Sequence, residues 1–226
     1  MVEVIFKHGG TLDKYIGDAI MAVFGAPFGS ERDADNAVSC ALDMQRALTA
    51  FNQGREAAGL PELAVRIGIN TDEAIAGNIG STRRMDYTVI GDGVNLTARL
   101  ESANRYFGTY ILLSGSTVNV LRSHYGLREI DSVRVKGKLA PVPIFELLGD
   151  ETNALPPGTA GAIAHYAAAL RAYRMRDWNT ALARLEDALV AAPLDQPSQL
   201  LRARVLDFRE SPPPAQWDGV WVLADK

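Results

Sequence analysis

Lys14 and Asp18 stand four residues apart in the stretch Gly9 to Gly25, GGTLDKYIGDAIMAVFG. Two short extended runs broken by Gly17-Asp18 predict a β-hairpin whose second strand, almost purely apolar, is buried. The hairpin sets a cation and a carboxylate near its tip, where a site can sit without disturbing a core. The same Asp18 could equally serve turn chemistry alone. A second pair, Asn95 and Arg99, lies four residues apart in a helical stretch and so shares one face. An amide and a guanidinium there could hold an anion; a solvated helix surface has the same spacing. Lys136-Gly137-Lys138 puts two cations around a glycine, which suits a phosphate and is also common in exposed hairpins. The single cysteine, Cys40, sits in an apolar helical pattern with no base near it in sequence, and reads as core rather than nucleophile.

The elements that must position these groups follow from periodicity and punctuation. MVEVIFKHGG reads as the end of a helix stopped by Gly9-Gly10. After a loop from Ala26 to Ser30, Ser30 and Asp33 open a helix. Its Ala34, Ala37, Val38, Ala41, Leu42, Met44, Leu48 and Phe51 fit one apolar face. Leu63 to Asn70 and Glu73 to Gly77 read as two strands around a turn at Thr71-Asp72. Met85 to Ile90 is strand-like, Gly91-Asp92-Gly93 is a break, and a helix follows from Val94, an arrangement that places polar side chains at a sheet rim where nucleotides commonly bind. Gly108 to Ser114 is a buried strand, Ser116 to Leu121 a helix, and Arg128 to Val135 and Val142 to Leu147 are strands. The pattern is that of an α+β protein with helices over one sheet.

From 150 to 159 the composition turns to Pro, Gly, Asn and Thr, which predicts a linker. Beyond it, 160–226 carries three helices, Ala160 to Met175, Trp178 to Ala192 and Pro197 to Phe208. The middle run, DWNTALARLEDALVAAPLD, resembles a tetratricopeptide-repeat helix. Little more than one repeat is present, so the expectation is a small helical appendage, packed on the main domain or used for a protein partner. The tail from Pro212, with Trp217 and Trp221, should fold back on that bundle.

Hydrophobic residues make up 47% of the 226 and charged residues 22%, as in a globular protein rather than a disordered one. A net charge of -4 with no Lys/Arg cluster gives no support for nucleic-acid binding. No apolar run approaches the roughly 20 residues that cross a bilayer. One unpaired cysteine and no export signal predict a reducing, cytoplasmic location.

Taken together, GGTLDKYIGDAIMAVFG, RIGINTDEAIAGNIGS and MDYTVIGDGVNLTARLE resemble, in order and spacing, the motif blocks of the class III nucleotidyl cyclases, bacterial adenylate cyclases in particular; VKGK matches a weaker block. The resemblance implies a cyclase domain over 1–149 with a ferredoxin-like sheet, acting as a homodimer that converts ATP to cyclic AMP and pyrophosphate with two divalent cations, Mg²⁺ or Mn²⁺. It further implies that Asp18 is one of two metal-binding aspartates, that Lys14 and Thr88 read the purine, that Asn95 and Arg99 orient the ribose and stabilise the transition state, and that Lys136 contacts phosphate. Adenine offers an acceptor at N1 and a donor at its 6-amino group, which suits a Lys14 donor and a Thr88 acceptor. Guanine offers a donor at N1 and an acceptor at O6, so Lys14 would lose its partner at N1, and unpaired buried polar groups of that sort cost about 1–3 kcal/mol each. Two departures from the family pattern stand out. The opening strand, with its metal aspartate, and the helices after it have no counterpart here, which predicts a domain short of a central strand. Asp72 also replaces a usual turn glycine, and aspartate tolerates the left-handed conformation better than most residues. A non-catalytic module that binds nucleotide or dimerises is the alternative. Retention of the whole candidate set speaks for the enzyme.

Overall fold

The computed structural model describes residues 1–134, 140–152, 155 and 158–222. The chain forms two compact units, one of Met1–Ser102 with Ser116–His124, the other of Ala103–Gly115 with Tyr125–Lys226.

The first unit opens with α1 (Val2–Lys7), which closes as expected at the glycines: the Gly9 and Gly10 amides return to the Phe6 and Ile5 carbonyls at 3.0 and 2.9 Å. β1 (Thr11–Ile16) and β2 (Ala19–Val23) form the expected antiparallel hairpin, joined by Gly17-Asp18 with Gly17 at φ +63°. β2 is not buried. Its first residues are exposed, as are Tyr15 and Ile16 on β1, because this is a two-stranded ribbon with no further described strand paired to it.

The long helix α2 (Asp33–Ala57) begins where Ser30 binds the Asp33 carboxylate through both its amide and its hydroxyl. Val38, Ala41, Leu42 and Leu48 are buried as the periodicity predicts, whereas Phe51 is exposed. On its flank, Asp43 accepts from Lys7 Nζ, His8 Nε2 and Arg46 Nη1 at 2.8–2.9 Å, tying α1 to α2. Those three donors hold the Asp43 carboxyl well below the usual carboxylate range. Asp35, 2% exposed, accepts the backbone amides of Arg122 and Ser123.

The strand expected from Leu63 shrinks to β3 (Ile67–Ile69). The backbone before it is bound by α2 side chains instead: Asn52 pairs with both the amide and carbonyl of Leu63, and Gln45 donates to the Val65 carbonyl. β4 (Ile75–Ser81) does not fold back around Thr71-Asp72. It pairs antiparallel with β5 (Arg84–Ile90), because seven consecutive register pairs are available across the short turn at 82–83. The strands therefore lie in separate sheets rather than the single one the pattern suggested, while the α+β class holds. α3 (Asp92–Phe107) starts directly after Gly91. Two glycines set its seat. A Cβ on Gly68 would lie 2.4 Å from both the Glu101 amide nitrogen and the Thr97 carbonyl oxygen, and one on Gly93 would lie 2.6 Å from the Asp72 Cβ. Asp72 keeps a negative φ and caps the Glu73 amide, so its tolerance of the left-handed region is not called upon.

In the second unit β6 (Ile111–Ser114), β7 (Tyr125–Arg134), β8 (Val142–Asp150) and β9 (Trp221–Val222) order as β6-β8-β7-β9, with β9 parallel to β7. The helix expected over Ser116 to Leu121 is only the short α4 (Gly115–Val118). α5 (Thr159–Arg174), α6 (Trp178–Ala191) and α7 (Gln196–Glu210) match the predicted helices closely. Asp177 and Asp195 cap α6 and α7 by accepting from the amides three residues on. Tyr173 gathers Trp178, Phe208 and Trp217 at ring distances of 5.1–5.9 Å, so Trp217 folds onto the bundle as expected. Charged contacts bind these helices to β7. Arg128 holds Glu146 on β8 and the α7 cap Asp195, Asp131 pairs with Arg204 at 2.5 Å, Glu129 pairs with Arg174, and Tyr166 donates to the Ile130 carbonyl at 2.7 Å.

Candidate active site

Lys14 and Thr88 come from the two hairpins of the first unit. Thr88, on β5 opposite Gly77, is 6% exposed and donates its hydroxyl to Asp13 Oδ2 at 2.9 Å. The Lys14 ammonium lies 3.4 Å from that same oxygen. One carboxylate thus links the two residues that the resemblance paired, Asp13 itself standing 75 positions from Thr88. Asp13 was not legible as part of the site, since nothing in TLDKYI separates it from an ordinary strand residue.

Asp18 stands exposed at the β1–β2 turn, four residues on from Lys14. Asn95 and Arg99 lie one turn apart near the start of α3, Asn95 exposed and Arg99 half-buried. α3 follows β5 by a single glycine, so Thr88 and this helix face are delivered by one continuous strand–turn–helix segment. Lys136 and the Lys136-Gly137-Lys138 turn lie outside the described residues, as do four positions of the predicted linker. Cys40 is buried, and burial together with the nearby Asp43 carboxylate pushes its thiol up to about 11, which fits core and not nucleophile.

Among the described residues no group of three His, Cys, Asp or Glu side chains gathers as a metal cage. Mg²⁺ does not require one, because it is commonly held by one or two carboxylates together with substrate phosphates. A single open carboxylate, Asp18, fits that mode for one ion. No described helix is long and apolar enough to cross a membrane.

The model of the family described as "Adenylate and Guanylate cyclase catalytic domain" matches residues 3–149. The chain belongs to this family, whose members act on nucleotides, use divalent metal ions and form dimers. It is 37% identical over 160 residues to adenylate cyclase 1 of Rhizobium meliloti (strain 1021), covering 70% of this chain and 24% of that protein. It is 42% identical over 154 residues to the adenylate cyclase of Anabaena cylindrica, covering 65% and 30%. Among solved structures it resembles the adenylyl cyclase CyaB from P. aeruginosa, with a TM-score of 0.61, 34% identity and coverage of 68% of this chain and 79% of that one. It also resembles the guanylyl cyclase Cya2, with a TM-score of 0.58, 42% identity and coverage of 68% and 78%. The chain spans less than a third of the length of the two curated relatives.

Proposed function

We propose that this chain is the catalytic region of an adenylate cyclase, forming 3′,5′-cyclic AMP and pyrophosphate from ATP. The observation that carries the reading is the meeting of Lys14 and Thr88 at one carboxylate. A cyclase relative 42% identical bears the name guanylyl cyclase, so the purine rests on these two side chains. A lysine donor for N1 and a threonine acceptor for the 6-amino group match adenine.

In this reading the ribose 3′-oxygen attacks the α-phosphorus and the bond to the pyrophosphate oxygen breaks. Asn95 hydrogen-bonds the ribose and fixes its 3′-oxygen for attack. Arg99 donates to phosphate oxygens as charge builds on them, an interaction strongest in the transition state. Lys136 contacts the phosphates. Asp18 would hold a divalent cation, Mg²⁺ or Mn²⁺, one of the two that the resemblance implies, and such an ion neutralises phosphate charge and acidifies the 3′-hydroxyl.

The functional unit is a homodimer. Tyr15 and Ile16 on one hairpin and Ile75, Met85 and Tyr87 on the other are exposed apolar residues that a second copy would cover. The cyclase region is 1–149, with 150–159 a linker and 160–226 a helical extension open to a protein partner, and the location is cytoplasmic.

The deciding experiment is cyclic AMP formation from ATP with Mg²⁺ or Mn²⁺. It is run on this chain, on a form extended upstream by the strand and aspartate that the resemblance implies, and on Asp18→Ala in whichever form is active. Product that disappears in Asp18→Ala supports the enzyme. ATP binding without product in either form favours the non-catalytic module.

A further inference from the structure

β1 is not a regular strand. Leu12 pairs with Ala22 and Lys14 with Met21, leaving Asp13 as an extra residue with no partner across the ladder. Adjacent side chains of a regular strand point to opposite faces, whereas a bulge re-aims one of them. The bulge explains how neighbours in sequence, Asp13 and Lys14, meet at 3.4 Å while the same carboxylate oxygen reaches Thr88 on the other hairpin. The Asp13 side chain is only 4% exposed, so water does not compete for that oxygen.

We infer that Asp13 is a specificity-determining positioning residue, which fixes the Thr88 hydroxyl as a hydrogen-bond acceptor and holds the Lys14 ammonium beside it, so that the pair accepts adenine and rejects guanine. A threonine hydroxyl has one proton and two lone pairs, and free to rotate it can serve either base. An ionised carboxylate only accepts. With its proton committed to Asp13, Thr88 presents lone pairs to the ligand. The 6-amino group of adenine can donate to them, while O6 of guanine meets them lone pair to lone pair. Lys14 keeps further N–H bonds for an acceptor such as adenine N1, and guanine N1–H opposes them. Residues 14 and 88 form the reading pair, and the carboxylate behind them fixes which way the Thr88 hydroxyl points.

This inference rests on the adenylate cyclase reading, and its test separates the two. The wild-type chain, Asp13→Ala, Asp13→Asn, Thr88→Val and Lys14→Ala are compared for displacement of a fluorescent ATP analogue by ATP and by GTP. Cyclic AMP and cyclic GMP formation are read alongside, and thermal unfolding checks the fold. Wild type should prefer ATP. Asp13→Ala should shift the ATP-to-GTP preference toward GTP by roughly tenfold, with tighter GTP binding contributing, a result that loss of structure alone would not produce. Asp13→Asn is isosteric and can turn its amide NH₂ toward Thr88, freeing the hydroxyl proton, so it should show a smaller shift in the same direction. It decides the matter if Asp13→Ala does not fold. An unchanged preference in the Asp13 variants, with Thr88→Val shifted, overturns the role of Asp13 and leaves the purine reading standing. An unchanged preference in all four, or no displacement by either nucleotide, removes the purine reading and the inference with it.

Discussion

Arg99 and Asn95 show what a single side chain is expected to contribute. In the proposed reaction their contacts to phosphate and ribose would strengthen as the transition state forms, so truncation should lower kcat more than it raises KM. In the active form, Arg99→Ala is expected to reduce kcat by about 10²-fold or more, with KM for ATP changing only a few-fold, as steady-state kinetics would show. A loss confined to KM would make Arg99 a ground-state binding residue. Lys14, Asp18, Asn95 and Arg99 could be named as candidates because they lie in motif-like runs whose residue types and spacing point to a site. Asp13 could not, because a bulge leaves no mark on composition or alternation and its partner Thr88 is 75 residues away. The paired charges on β7, of which Arg128 and Asp131 are buried, escaped because their partners are distant in sequence. Arg128, Glu129 and Asp131 look like the solvent face of a strand until helices α5 and α7 bring Arg174, Asp195 and Arg204 to them.

At the scale of elements, the three C-terminal helices were read to within about two residues at their ends, since apolar runs and the breaks between them agree there. Strand partners were harder. Pairing depends on which neighbour offers an unbroken register, and the sequence around Thr71-Asp72 favoured the wrong one. Packing between elements allows a sharper prediction at Gly68, where β3 presses against the backbone of α3. A Cβ there would overlap the Glu101 amide and the Thr97 carbonyl at 2.4 Å, and neither is the movable end of a side chain. Gly68→Ala should destabilise the first unit by roughly 1–3 kcal/mol, measured by denaturant unfolding. In the second unit, Arg204→Ala would strand the Asp131 carboxylate, 1% exposed, without its ion-pair partner. The expected cost is about 3–5 kcal/mol, seen as an earlier unfolding transition. A change below about 1 kcal/mol in either variant would mean that the surroundings of that residue relax freely.

Across the whole molecule, stability should fall off at both ends of the pH scale for different reasons. Asp43, held ionised by Lys7, His8 and Arg46, has a folded pKa below its ordinary value of 3.8. Its contribution is complete above that value and is lost as pH drops toward the folded pKa, because the unfolded chain takes up the proton first. Tyr166 and Tyr173 act at the other end. Burial raises both phenols, Tyr173 to about 12 and Tyr166 further, with Asp131 adding to the shift in each. Their stabilisation is complete below the ordinary phenol value of 10.0 and declines above it, where the unfolded chain ionises while the folded one does not. Unfolding free energy measured by denaturant at a series of pH values should therefore decline below pH 4 and again above pH 10. Asp43→Asn should flatten the acid limb and leave the alkaline one. Tyr166→Phe removes the bond to the Ile130 carbonyl, at about 1 kcal/mol independent of pH. It should also reduce the slope above pH 10. A Tyr166→Phe curve parallel to wild type through pH 11.5 would show that the alkaline loss comes from groups other than this buried phenol.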